Sequence, residues 1–149
     1  MRKIYIILLI LFLTGCGYSP IYSGLDNKSF KFNILKIVGD NEMNNIVSLK
    51  LKEVANQNSS NILNLNINTE FSRNILSKNK EGKTTSYSLK TFITFEVINN
   101  NGSDEYVFAE EIKTQNMDNE FELKEYEKTV KSNFIDSKVY EFISQLSIK

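Results

Sequence analysis

Three lysines, Lys78, Lys80 and Lys83, fall within six residues of a polar stretch, Ser77 to Thr84, that also holds Gly82. Ammonium groups gathered on one loop can receive the phosphates of a headgroup or another anion, with each lysine acting as a mobile point charge. The same lysines also read simply as a charged, well-solvated loop, so both meanings stay open at this stage. Acidic pairs such as Glu110-Glu111 and Glu125 with Glu127 raise acid–base chemistry. Solvated strand edges and helix faces carry such pairs routinely, and no apolar cleft is evident that would lift a carboxyl pKa. Histidine is absent and cysteine occurs once, at Cys16. The commonest general base and the commonest metal ligand are therefore missing, no metal site is expected, and no cofactor is implied. The expectation is a protein that is not an enzyme.

Cys16 closes the run Leu13-Thr14-Gly15-Cys16. Arg2 and Lys3 precede an apolar stretch from Ile4 to Leu13, a secretory signal plan too short to span a bilayer as a mature helix. Small residues lead to a cysteine where an ordinary signal offers an Ala-x-Ala site. This resembles the lipobox of bacterial lipoproteins, in which the thiol takes a diacylglycerol and cleavage leaves the cysteine first, to be N-acylated. An ordinary signal followed by a stray cysteine is the other reading. Under the lipobox reading residues 1–15 are a signal peptide, 16–29 a lipidated tether and 30–149 one domain. The tether holds Gly17, Pro20 and Gly24. Its Tyr18, Ile21 and Tyr22 are too apolar for a pure spacer, which leaves docking on the domain or on a partner open.

Removal of residues 1–15 leaves 134 residues, enough for one adequate core. Arg2 and Lys3 leave with a segment that holds no acid, so 18 basic residues become 16 against 18 acidic ones. A near-neutral surface argues against a nucleic-acid partner. With Cys16 acylated no thiol remains for a disulfide. Asn58-Ser59-Ser60 would be a glycosylation acceptor only in a eukaryotic secretory route, against which the lipobox argues.

The elements that must position these groups follow from periodicity. Phe30, Phe32 and Ile34 alternate with Lys31 and Asn33, and Gly39-Asp40 ends a first strand. Asp40 or Asn41 can cap a helix over residues 41–57, where Met43, Ile46, Val47, Leu51 and Val54 form one stripe. Leu63, Leu65 and Ile67, extending to Phe71, alternate with Asn64, Asn66 and Asn68 in a second strand. Tyr87, Leu89, Ile93, Phe95 and Val97 mark a third, with Phe92 on the polar side, where Val107 or Ala109 would complete a small contact patch. Asn100-Asn101-Gly102 is a hairpin signal before a fourth strand through Tyr106, Phe108 and Ile112. From Asp118 the chain turns helical. Tyr126, Val130 and Phe134 form one stripe and Ile135, Val139, Phe142, Ile143 and Leu146 another, well over 100° apart at ~100° per residue. Either the helix kinks near Phe134 or its halves bury against different things, with the N-terminal half facing a partner or loop. The order β-α-β-β-β-α predicts an α+β domain, a mixed four-stranded sheet with both helices on one face and a polar, open second face.

Three segments resemble one family. Cys16-Gly17-Tyr18-Ser19-Pro20-Ile21-Tyr22 is similar to the Cys-Gly-Phe-x-Pro-Leu-Tyr opening of LptE, the lipopolysaccharide-assembly lipoprotein, in its alphaproteobacterial form. Asn79-Lys80-Glu81-Gly82-Lys83-Thr84-Thr85-Ser86-Tyr87 resembles that family's loop of a basic residue and a glycine before a Tyr-led strand. Phe121 to Leu146 resembles its long C-terminal helix. The resemblance implies a non-enzymatic role: a plug inside the outer-membrane barrel LptD that assists its assembly and passes lipopolysaccharide to the cell surface. It implies an acyl-anchored protein on the periplasmic side of the outer membrane. Gly17, rather than an aspartate, follows the cysteine and favours that sorting. By position Lys80 matches the family's lipopolysaccharide-contacting residue, with Lys78 and Lys83 as neighbours and Lys124 as a further match across a gap. Two rivals remain: an accessory subunit of another envelope lipid-transport machine, and a glycan- or lipid-modifying enzyme.

Overall fold

A computed structural model describes residues 30–100, 102–117 and 119–148. The expected signal peptide, Cys16 and the expected tether lie outside the described residues. The chain builds β1 (Lys31–Gly39), α1 (Asn41–Val54), β2 (Ile62–Lys78), β3 (Thr84–Asn99), β4 (Gly102–Gln115) and α2 (Glu120–Ile148). The strands form one sheet in the order β1-β2-β3-β4. β1 lies parallel to β2, while β2–β3 and β3–β4 are antiparallel. The expected element order and mixed sheet are what the structure shows.

The β1–α1 junction depends on close backbone approach. Gly39 has φ +108°, and a Cβ there would run into the backbone carbonyl of Thr69 on β2. Glycine is therefore required at that point, because an added carbon would clash and the backbone conformation would strain any other residue. The next residue, Asp40, donates its N–H to Thr69 O at 3.1 Å and accepts from the Met43 N–H at 2.9 Å. The helix is thus capped where its free amides need an acceptor. α1 closes at Val54, three residues short of the expected end, where the Ala55 N–H bonds to Leu51 O.

Strands β2 and β3 run farther than their apolar alternation indicated. The second strand continues past Phe71 to Lys78, and the third begins at Thr84. Pairing with β3, Arg73 opposite Leu89 and Ile75 opposite Tyr87, holds this extension although most of its side chains are solvated. The expected Ser77–Thr84 loop shrinks to a tight turn. Asn99 pairs with Gly102, as the hairpin signal required.

The core lies between the sheet and the two helices. Met43, Val47 and Leu51 from α1 meet Leu65, Ile67, Ile93 and Phe95 from the sheet and Phe134, Ile135, Val139, Phe142 and Ile143 from α2. Phe95 stacks on Phe142 with centroids 4.3 Å apart, and Tyr106 meets Phe142 edge-on at 5.2 Å. Such aromatic pairs add roughly 0.5–1.5 kcal/mol each beyond the area they bury.

α2 is a single helix of 29 residues with no break at Phe134. Phe134 and Ile135 are both buried, because helix and sheet enclose this part of α2 over a broad arc. Its N-terminal half faces the chain's own sheet, which corrects the expected partner or loop. There Leu123 is buried, and Arg73 of β2 reaches Glu127 at 3.0 Å and Glu120 at 3.6 Å. Among the described residues no helix is long and apolar enough to cross a membrane.

Lys131 ties α2 to the start of α1. It is 7% exposed, and its Nζ lies 3.1 Å from Asp40 and 3.0 Å from Glu42, 4.3 Å from the Phe71 ring centroid. Burial alone lowers a lysine pKa. Here the hydrogen bonds to Glu42 and Asp40, with their charges, outweigh it and raise the pKa above the usual lysine value. A raised folded-state pKa contributes stability that is fully present below the unfolded value and lost as pH rises through the folded one. Lys131→Met is expected to lower unfolding stability by about 1–2 kcal/mol near neutral pH, since it leaves two partly solvated carboxylates side by side without their cation. In denaturant titrations the gap to the parent protein should stay constant through mildly alkaline pH and narrow above pH 10.5, the unperturbed lysine value. A gap that ignores alkaline pH would show that charge is not what Lys131 contributes.

Candidate functional site

The β2–β3 tip is a small, rigidly wired turn. Asn79 donates its N–H to Lys83 O at 2.8 Å and accepts from the Gly82 N–H at 3.0 Å. Its side-chain Oδ1 accepts from the backbone N–H groups of Glu81 and Lys83 at 3.0 and 2.9 Å. An asparagine bonding the backbone two residues on is a standard turn device. Gly82 completes it at φ +81°, in the left-handed region that favours glycine. Below the turn the Ser77 hydroxyl bonds those of Thr85 and Ser86.

Lys78, Lys80 and Lys83 all lie on this tip, exposed. Among the described residues none of the three forms an ion pair, and Glu81 is the one acid within the turn. A shallow depression of about 410 Å³ opens beside them, lined by Asn79, Lys83, Thr84, Thr85, Gln115 and Asn116. One ammonium group, from Lys83, with two hydroxyls and three side-chain amides around one depression offers many donors to an anion.

Lys124 is not part of this group. It is exposed on α2 between Glu120 and Glu127, the two acids that hold Arg73. Arg73 is five residues back along β2 from Lys78, about 17 Å at roughly 3.3 Å per residue. The structure thus brings Lys78, Lys80 and Lys83 together and leaves Lys124 well down the domain.

Arg73 escaped the sequence reading. It is the one arginine of residues 16–149, and its charge is paired with those of Glu120 and Glu127. Its guanidinium also lies 5.3 Å from the Tyr87 ring centroid. Its i, i+2 relation to Phe71 and Ile75 on the helix-facing side was the available signal.

On the open face Phe92 pairs with Ala109, and Val107 pairs with the neighbouring Thr94, so the contact patch assembles. Phe92 is half-buried and Val107 is 53% exposed. A depression of about 530 Å³ lies beside Phe92 and Ala109, reaching Lys90, Glu110 and Glu111. The Ser88 hydroxyl bonds Glu111 and holds its carboxyl below the usual range against the cost of burial, with Lys90 and Lys113 adding smaller contributions. Hydrogen bonds from Asn66 and Ser103 do the same for Glu96. Both carboxylates are held ionised, the reverse of what a proton donor needs at neutral pH. No cluster of His, Cys, Asp or Glu suited to a metal occurs among the described residues.

Together these features define an α+β domain whose long hairpin carries a cationic, donor-rich tip. No family model matches the chain, and no curated protein matches it. Among solved structures the domain is similar to the crystal structure of the rare lipoprotein B from Shewanella oneidensis, with TM-score 0.55 and 16% identity over 77% of this chain and 97% of that one. A solution NMR structure of an uncharacterized lipoprotein B from Nitrosomonas europaea aligns at TM-score 0.49 and 12% identity, over 83% of this chain and 87% of that one. The likeness to the Shewanella protein is one of fold.

Arg73→Ala is expected to release the first turns of α2 locally. Ion pairs this exposed contribute little, so the loss of global stability should stay within about 1 kcal/mol. Amide exchange should quicken over Glu120–Glu127 and stay unchanged in α1. Uniform acceleration throughout the domain would mean that Arg73 supports the whole core instead.

Proposed function

We propose that this chain is an acyl-anchored envelope lipoprotein of the LptE type. In this reading it plugs the LptD barrel, assists its assembly and helps deliver lipopolysaccharide to the cell surface. The observation that carries the proposal is the placement of the two functional ends. The segment leading from Cys16 enters the sheet at Phe30, beside Lys31 and its partner Ile62, where β2 begins. The lysine tip follows Lys78, where β2 ends. The 17 residues of β2 span about 56 Å at roughly 3.3 Å per residue. A bilayer with its headgroups is about 40–45 Å thick. A domain held at one end by acyl chains in the inner leaflet, and standing inside a barrel, can therefore present its lysines near the opposite surface.

Surface chemistry supports the enclosure. A barrel lumen is polar, and the open sheet face carries Asn33 and Glu105 exposed and Asn64, Asn66, Asn68 and Glu96 half-buried. Asn33 bonds Asn64 at 2.8 Å, and Asn66 bonds Glu96 at 2.8 Å. These pairs hold the face in order without an apolar cover. The fold shared with the rare lipoprotein B from Shewanella oneidensis is in keeping with the lipobox at Cys16. Acyl chains on that sulfur would contribute about 0.8 kcal/mol per buried methylene, which makes a multiply acylated anchor effectively permanent. At the far end Lys80 and Lys83 would engage lipid A or core phosphates and loosen packed glycolipid, so that the protein's work is binding and not turnover.

Charge reversal at the tip tests the ligand. Lys80→Glu with Lys83→Glu should weaken binding of purified lipopolysaccharide about tenfold, equivalent to about 1.4 kcal/mol, with the thermal midpoint unmoved because both side chains are solvated. Unchanged binding would remove the tip from the ligand site.

Mass spectrometry of the membrane-extracted protein, with copurification from detergent, tests the anchor and the partner. Three acyl chains on Cys16 and a stable complex with an outer-membrane barrel are expected. A bare thiol would overturn the anchor, and an inner-membrane ATPase in place of the barrel would favour a different lipid-transport machine.

A further inference from the structure

A hollow of about 150 Å³ lies between β1 and α1, lined by Phe32, Ile34, Ser48, Leu51, Lys52 and Ala55, with Gln57 at its rim. Leu51 is buried, while Phe32 and Ile34 are only half-buried. The lining is mostly apolar and the volume suits one large side chain. Among the described residues β1 is the edge of the sheet on this side, so one row of its backbone groups has no neighbouring strand there. The edge is regular only as far as Ile34, because a register shift follows it and turns Leu35 outward, 56% exposed.

The chain reaches this place from residues 16–29. Phe30, the first described residue, lies two positions before Phe32, and their rings are 6.4 Å apart. Gly24, Asp26 and Asn27 are turn formers. A reversal there would return Tyr18–Tyr22 alongside Lys31–Ile34, antiparallel, over the regular part of the edge. In an extended strand Tyr18, Pro20 and Tyr22 share one side. Pro20 lacks an N–H, and an outermost strand tolerates that.

We infer that Tyr18–Tyr22 adds an outer strand to β1 and seats a tyrosine ring in the Phe32–Ile34–Leu51–Ala55 hollow. A covalently linked segment within reach acts at millimolar effective concentration, an advantage no second copy or separate protein shares. It also carries the aromatic groups that the hollow accepts. Where Cys16 is acylated, as proposed above, docking leaves only Gly17 between anchor and added strand, so that the β1 end of the sheet is held against the membrane at a set distance.

The full chain with Tyr22→Cys and Ala55→Cys, in membranes, is the test under mild oxidation. A disulfide within one chain should form about tenfold more readily than in a Tyr22→Cys, Ala109→Cys control on the opposite edge. Equal yields in the two, or a disulfide between copies or to another protein, would overturn the assignment. Peptide mapping of the same sample reads the acyl state of Cys16, so a failed anchor and a failed docking are told apart. Hydrogen exchange gives a second measure without new cysteines. Tyr18→Ser with Tyr22→Ser should speed exchange of β1 edge amides about tenfold, whereas the two Phe variants should not. Equal exchange in parent and serine variants would equally overturn the proposal.

Discussion

The antiparallel pairing of β2 with β3 is the constraint on which the rest of the domain depends. Its register runs from Asn64 opposite Ile98 to Lys78 opposite Thr84, across the full length of the sheet. β1 covers only the first part of β2, and β4 extends the sheet beyond β3. Both helices pack on the face these strands present. Because the ladder outruns the α1–β1 part of the core, it separates the end where the chain enters from the end that carries the lysines. A shorter hairpin with the same core would put both chemistries in one place.

Lys131 shows how the layers are locked to one another. A buried charge is costly unless paired, and this one has two carboxylates and an aromatic face around it. Asp40 serves twice, with Oδ1 capping the first helix and Oδ2 meeting the lysine of the second. The same residue follows Gly39, whose close approach to Thr69 sets where the helix starts. Helix start, crossover and helix-to-helix contact are therefore set by one short stretch of chain. Arg73 repeats the arrangement more weakly nearer the start of the second helix, where solvent screens the pair.

Much of the site was legible from local pattern. Lysines around Gly82 announced an exposed cationic turn, and the structure gathers Lys78, Lys80 and Lys83 on it. What the pattern hid was the scale of that turn, because Asn79 closes it with hydrogen bonds that a stretch of polar letters does not reveal. Lys124 matched the family resemblance by position only across a gap. Its distance from the tip follows from where the second helix begins along the sheet, a relation between elements far apart in sequence. The patch of Phe92 with Ala109 and Val107 became definite only when the β3–β4 register was known.

The sequence by itself determined the order of the elements, the polar open face and a helix cap at Asp40 or Asn41, of which the structure uses Asp40. These rest on alternation, helical spacing and short-range hydrogen bonding, all written within a few residues of each other. Tertiary structure alone decided that β2 continues through Arg73 to Lys78, that Phe134 and Ile135 share one core, and that Lys131 is buried. The strand extension is held by a partner strand rather than by its own alternation. The burial of Lys131 depends on acids 91 and 89 positions away. Contacts of that separation leave no periodic trace in the chain, because the groups meet only after the sheet and helices have packed.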